Sequence, residues 1–108
     1  MKAQEYFLKY KDIFLDSKDQ KELDITVVNL LNDFNRDMKE TMTKRGVSSD
    51  DAVVGSVIEF NSKWNALVRM FEKHFHYSPI KYDGYLAYWK ATMPPQFKDA
   101  IKRRTNPL

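Results

Sequence analysis

The 108-residue chain contains no cysteine. That excludes a disulfide framework and any thiolate metal site, the usual staples of small secreted domains. Glycine and proline are scarce, at three and four residues, so the breaks between elements are few and readily placed. No run of 18 apolar residues occurs, which leaves no candidate transmembrane span. The opening Met1-Lys2-Ala3-Gln4-Glu5 leads into a stretch interrupted by Lys9, Lys11 and Asp12, unlike the apolar core of a signal peptide. A cytoplasmic setting is the expectation.

What is present suits one globular domain over residues 1–108. The apolar fraction of 43% and charged fraction of 31% can support a single core and argue against disorder. The net charge of +3 hides a division: residues 1–60 carry 9 Lys/Arg against 12 Asp/Glu, and residues 61–108 carry 9 against 3. An anionic partner would therefore dock on the C-terminal half.

Apolar spacing predicts an all-α fold. A short first helix covers Ala3 to Leu15, with Phe7, Tyr10 and Phe14 on one face and Tyr6 and Ile13 beside it. Ser17 with Gln20 three residues on reads as a capping box for the second helix. Two long helices, about 18–45 and 49–77, then form an antiparallel hairpin. Gly46 is the left-handed stop of one helix, Ser48 the cap of the next, and Asp50 and Asp51 favour its first turn. Beyond Ser78-Pro79 the pattern predicts one or two short helices, Tyr85 to Met93 capped by Asp83, and Pro95 to Arg104.

The two long helices are unequal. The second carries one stripe, Leu23, Val27, Leu30, Leu31, Phe34, Met38 and Met42. The third carries two overlapping rows, one through Val54, Val57, Asn61, Trp64, Val68, Phe71 and Phe75, the other through Val53, Val57, Phe60, Trp64, Leu67, Phe71 and His74. Such a face is wider than one partner helix buries. The first helix, the aromatic C-terminal segment or a second copy must cover the remainder.

Candidate chemistry is thin. His74 and His76 are two apart on a helix and diverge, while Glu72 and His76 have metal-binding spacing without a third ligand. Asp33, Asp37 and Glu40 interleave with Arg36 and Lys39 and read as a solvated face. No glycine-rich phosphate loop or nucleophile elbow occurs. These residues imply no enzyme, metal, cofactor or small-molecule substrate. Asn61, inside the apolar row, is expected to set register or oligomer state, so that Asn61→Val would raise stability at the expense of uniqueness.

Two functional readings follow. The first is a helical protein–protein interaction module, self-associating, with Asn61, Trp64, Tyr82, Tyr85, Tyr88 and Trp89 as its candidate surface. The composition would also suit a phage or mobile-element accessory protein. The alternative is nucleic-acid binding through Lys90, Lys98, Lys102, Arg103 and Arg104 with the neighbouring rings, a pattern used on single strands. The bland alternatives are that the rings cap the third helix and that Lys102-Arg103-Arg104 is a solvated helix end. A membrane partner is not implied.

Overall fold

The structure is a computed structural model that describes residues 1–92 and 94–105, apart from the side chains of Gln96, Lys98 and Thr105. It is all-α: α1 spans Ala3–Leu15, α2 Gln20–Arg45, α3 Asp50–Phe75, α4 Gly84–Thr92 and α5 Gln96–Thr105. The expected end of α4 at Met93 lies outside the described residues. None of the described helices is long and apolar enough to cross a membrane.

The hairpin turns where expected, with Gly46 closing α2, but the cap of α3 is shifted by one residue. Gly46 adopts φ 68° and donates its N–H to the Met42 and Thr43 carbonyls, and Val47 also donates to Met42 at 3.0 Å. This left-handed closure satisfies the last carbonyls of α2. The cap of α3 is Ser49, not Ser48; its hydroxyl accepts from the Ala52 N–H at 3.2 Å. The helix starts one residue later because Val47 is still occupied in closing α2.

Likewise Asp19, not Ser17, caps α2, accepting from the Glu22 N–H at 2.9 Å. A carboxylate serves the positive helix end better than a hydroxyl. Ser17 instead donates to the Ile13 carbonyl at the end of α1. Helix α3 stops two residues short of Tyr77, because His76 turns left-handed at φ 66°.

Helices α1, α2 and α3 run up, down and up. Tyr6 and Tyr10 of α1 reach Asp37 and Asp33 of α2 in antiparallel order, while Lys63 and Phe71 of α3 meet Met1 and Phe7 in parallel order. The surplus face of α3 is covered by this chain itself. Phe7 and Phe14 lie on Phe71 with ring centroids 5.4 and 5.3 Å away. Tyr85 of α4 fills the space beside Phe34 and Trp64. Ala100 and Ile101 of α5 close over Val54 in a smaller separate cluster.

Phe71 sits where the two apolar rows and α1 meet and is fully buried. Phe71→Ala is expected to lower unfolding free energy by about 3–5 kcal/mol through lost burial and a residual cavity. Urea denaturation followed by circular dichroism measures this; a loss under about 1 kcal/mol would show that the site collapses without cost.

Candidate interaction surfaces

Asn61, Trp64 and Asn65 project from consecutive turns of α3 onto the connector that precedes α4. Asn61 Nδ2 donates to Asp83 Oδ1 at 2.8 Å, and its Oδ1 accepts the Leu86 N–H at 3.0 Å. Asn65 donates to the same Asp83 oxygen at 3.0 Å and accepts the Asp83 N–H at 2.8 Å. Trp64 Nε1 donates to the Lys81 carbonyl at 2.8 Å. The backbone follows at close quarters: a Cβ at Gly84 would stand 2.8 Å from the indole nitrogen, so only glycine fits there.

This clamp revises two expectations. Asn61, 7% exposed, does not stand unpaired in the apolar row; its amide holds the connector and the start of α4. Asp83 occupies the N-cap position of α4 as expected, but through its backbone and not its side chain. Its carbonyl accepts the Ala87 N–H, whereas its carboxylate is held by Asn65 and Asn61, whose hydrogen bonds keep it below the usual carboxylate range.

The remaining aromatic candidates divide by burial. Trp64 and Tyr85 are inside the core, so they present nothing to a partner. Tyr85 donates to Met38 Sδ at 3.2 Å and Asn35 Oδ1 at 3.4 Å. Tyr88 and Trp89 are half-buried against Tyr85 and Phe97. Tyr82 alone of the six is exposed, donating its hydroxyl to Glu72.

The basic candidates are also split. Arg103 pairs with Asp51 at 3.1 Å and Arg104 donates to the Asp51 carbonyl at 3.3 Å, so both are anchored on the first turn of α3. Lys90 and Lys102 are exposed; the Lys98 side chain lies outside the described residues.

Of the acidic face expected to be solvated on α2, Glu40 is exposed but the two aspartates are not. Asp33 and Asp37 have side chains only 14% and 17% exposed, because they form the polar seam with α1. Tyr6 donates to Asp37 at 2.7 Å and Tyr10 donates to Asp33. Lys9 and Arg36 bracket Asp33 at 2.8 and 2.7 Å, and the Met1 amino group meets Asp37 at 2.7 Å.

Desolvation pushes both carboxyls up, but hydrogen bonds from Lys9 and Tyr10 on Asp33, and from the amino terminus and Tyr6 on Asp37, hold them below the ordinary value. Burial and the same carboxylates drive both tyrosines well above theirs. The seam is thus a set of mutually satisfied groups. Among the described residues no three acidic or imidazole side chains converge on a cation position. His74 instead packs on the Phe7 and Phe75 rings.

Two exposed areas escaped the sequence reading. One lies along α1 and α2, where Leu8, Ile13, Leu15, Ile25 and Val28 are each 46–65% exposed. Ile13 and Ile25 line a groove of about 380 Å³ between the end of α1 and the start of α2, with Asp16 and Glu22 at its rim. These residues stand off the main stripes of their helices, which was the available signal. The other lies at the C-terminal end of α3 and the connector after it, where Arg69, Lys73, Tyr77, Lys81 and Tyr82 are all exposed and Tyr82 reaches Glu72.

Removing the Asn61 amide leaves the Leu86 N–H and the Asp83 carboxylate short of partners. Asn61→Val is therefore expected to destabilise by about 1–3 kcal/mol, reversing the sequence-based expectation; a raised melting temperature would contradict the clamp. The seam predicts acid sensitivity. Unfolded Asp33 and Asp37 titrate near 3.8 and the folded groups lower. Their contribution is thus complete above about pH 4 and is lost as pH falls through the folded values. Denaturation midpoints across that range should fall less steeply in Asp33→Asn/Asp37→Asn than in the parent, and equal slopes would refute the assignment. No protein-family model, curated protein or solved structure matches this chain.

Proposed function

We propose that the protein is a non-enzymatic helical interaction module that self-associates through the α1–α2 edge. The observation that carries this reading is the aliphatic set Leu8, Ile13, Leu15, Ile25 and Val28, left half-exposed although α3 is covered by the chain's own helices. Isolated exposed aliphatics need no explanation, but Ile13 and Ile25 line one groove together, and an apolar groove of this kind favours a partner.

A second copy is the occupant that the charges favour. The groove's rim carries Asp16 and Glu22, and Lys18 and Lys21 lie near them along the chain. A two-fold arrangement can set these carboxylates in one copy against those lysines in the other. The carboxylates disfavour an anionic membrane or nucleic acid at this edge. Each half-exposed aliphatic retains about 1 kcal/mol of burial. Summed over two copies this is comparable with the cost of association, which points to a weak dimer. The non-enzymatic part is supported by the seam and the clamp, whose perturbed groups are taken up by one another.

Sedimentation velocity at concentrations from about 5 to 500 µM should show a shift from the 12.8 kDa chain toward twice that mass, as micromolar affinity requires. Ile25→Asp should abolish the shift while leaving helicity and unfolding midpoint unchanged. A monomer throughout the range would sink the self-association reading.

A further inference from the structure

We propose that the C-terminal end of α3 is a binding site for single-stranded nucleic acid, separate from the α1–α2 edge and from the basic run of α5. Arg69 and Lys73 are one turn apart on the outer face of α3, and Lys81 follows on the connector; all three are exposed. Among the described residues, no carboxylate lies within ion-pair distance of any of them. The basic run that the sequence singles out is different, since Arg103 and Arg104 are committed to Asp51.

Two exposed rings accompany these cations. Tyr77 and Tyr82 are 59% and 49% exposed, whereas Tyr6, Tyr10 and Tyr85 are buried and Tyr88 half-buried. Tyr77 ends a ladder of rings that rises from the core. Phe71 stacks on Phe75 with centroids 5.9 Å apart and planes within 9°, and Phe75 meets Tyr77 at 5.9 Å. Tyr82 is oriented by its hydroxyl, which donates to Glu72, and Arg69 stands close enough to act on that phenol. Rings held this way lose little freedom when a ligand stacks on them.

The charge balance supports an anion here. Glu72 and the negative helix end, about half a charge, oppose three free cations and leave a positive surface. Lys73 in the last turn faces that helix end, yet like Arg69 and Lys81 it has no carboxylate partner among the described residues. Flat exposed rings beside free cations suit unpaired bases with their phosphates. A duplex hides its bases from such rings, and an acidic peptide would use the cations alone.

The test is fluorescence anisotropy of a labelled oligothymidylate of about 15 nucleotides, long enough to span an ordinary single-strand site. The intact chain should bind at low salt, with affinity falling as about the second power of salt concentration, as three phosphate contacts require. Tyr77→Ala/Tyr82→Ala should weaken binding about tenfold or more at an unchanged salt slope. Arg69→Ala/Lys81→Ala should reduce the slope to that of about one contact, and Lys102→Ala should bind as the parent does. All these residues are at the surface, and circular dichroism checks each fold. Absence of binding at low salt overturns the proposal. So does binding indifferent to loss of both tyrosines, or equal affinity for duplex DNA or polyglutamate, which would mark a general polyanion surface.

Discussion

Burial of α3 is the constraint on which the remaining elements depend. Its apolar rows wrap so far around the helix that a hairpin with α2 leaves much of it exposed, and no single neighbour can reach the rest. The fold answers from three directions. Phe7 and Phe14 of α1 cover the end around Phe71, Tyr85 of α4 fills the middle beside Trp64, and Ala100 and Ile101 of α5 cover Val54. The short helices have little intrinsic stability at their length. They persist because each contributes the rings or aliphatics that α3 lacks.

Where apolar packing ends, hydrogen bonding takes over in the same economical manner. Asn61, Trp64 and Asn65 spend their polar atoms on backbone and carboxylate groups of the connector, so a segment without regular structure is fixed against the middle of α3. The α1–α2 seam works similarly through Tyr6, Tyr10, Asp33 and Asp37. Partly buried polar groups are tolerated in both places because each has a partner.

Local patterns made the helices legible, and long-range pairing made the sites illegible. Gly46 announced the hairpin because few residues other than glycine adopt a left-handed stop cheaply. The rows of α3 were equally plain, since periodicity needs no knowledge of the partner. Asn61 was misread because its partners, Asp83 and the Leu86 N–H, are more than twenty positions away. Asp33 and Asp37 resembled a solvated face because the tyrosine hydroxyls that claim them belong to another helix. The caps at Asp19 and Ser49 were missed by one or two residues, where neighbouring serines and aspartates compete for the same N–H groups. The open aliphatic edge went unnoticed because exposure is a property of the assembled fold.

The way α3 is covered also bears on how the chain can be made. Its cover comes from segments on both sides of it in the sequence, so a ribosome that has released α1, α2 and α3 has produced only part of the core. Until residues 84–105 emerge, Trp64 has Phe34 of α2 beside it but lacks Tyr85, and Val54 lacks its cover of Ala100 and Ile101. That interval is when a nascent chain is most open to chaperones or to mispairing with another copy. The last quarter of the polypeptide thus closes a surface that its first three quarters can assemble but cannot hide.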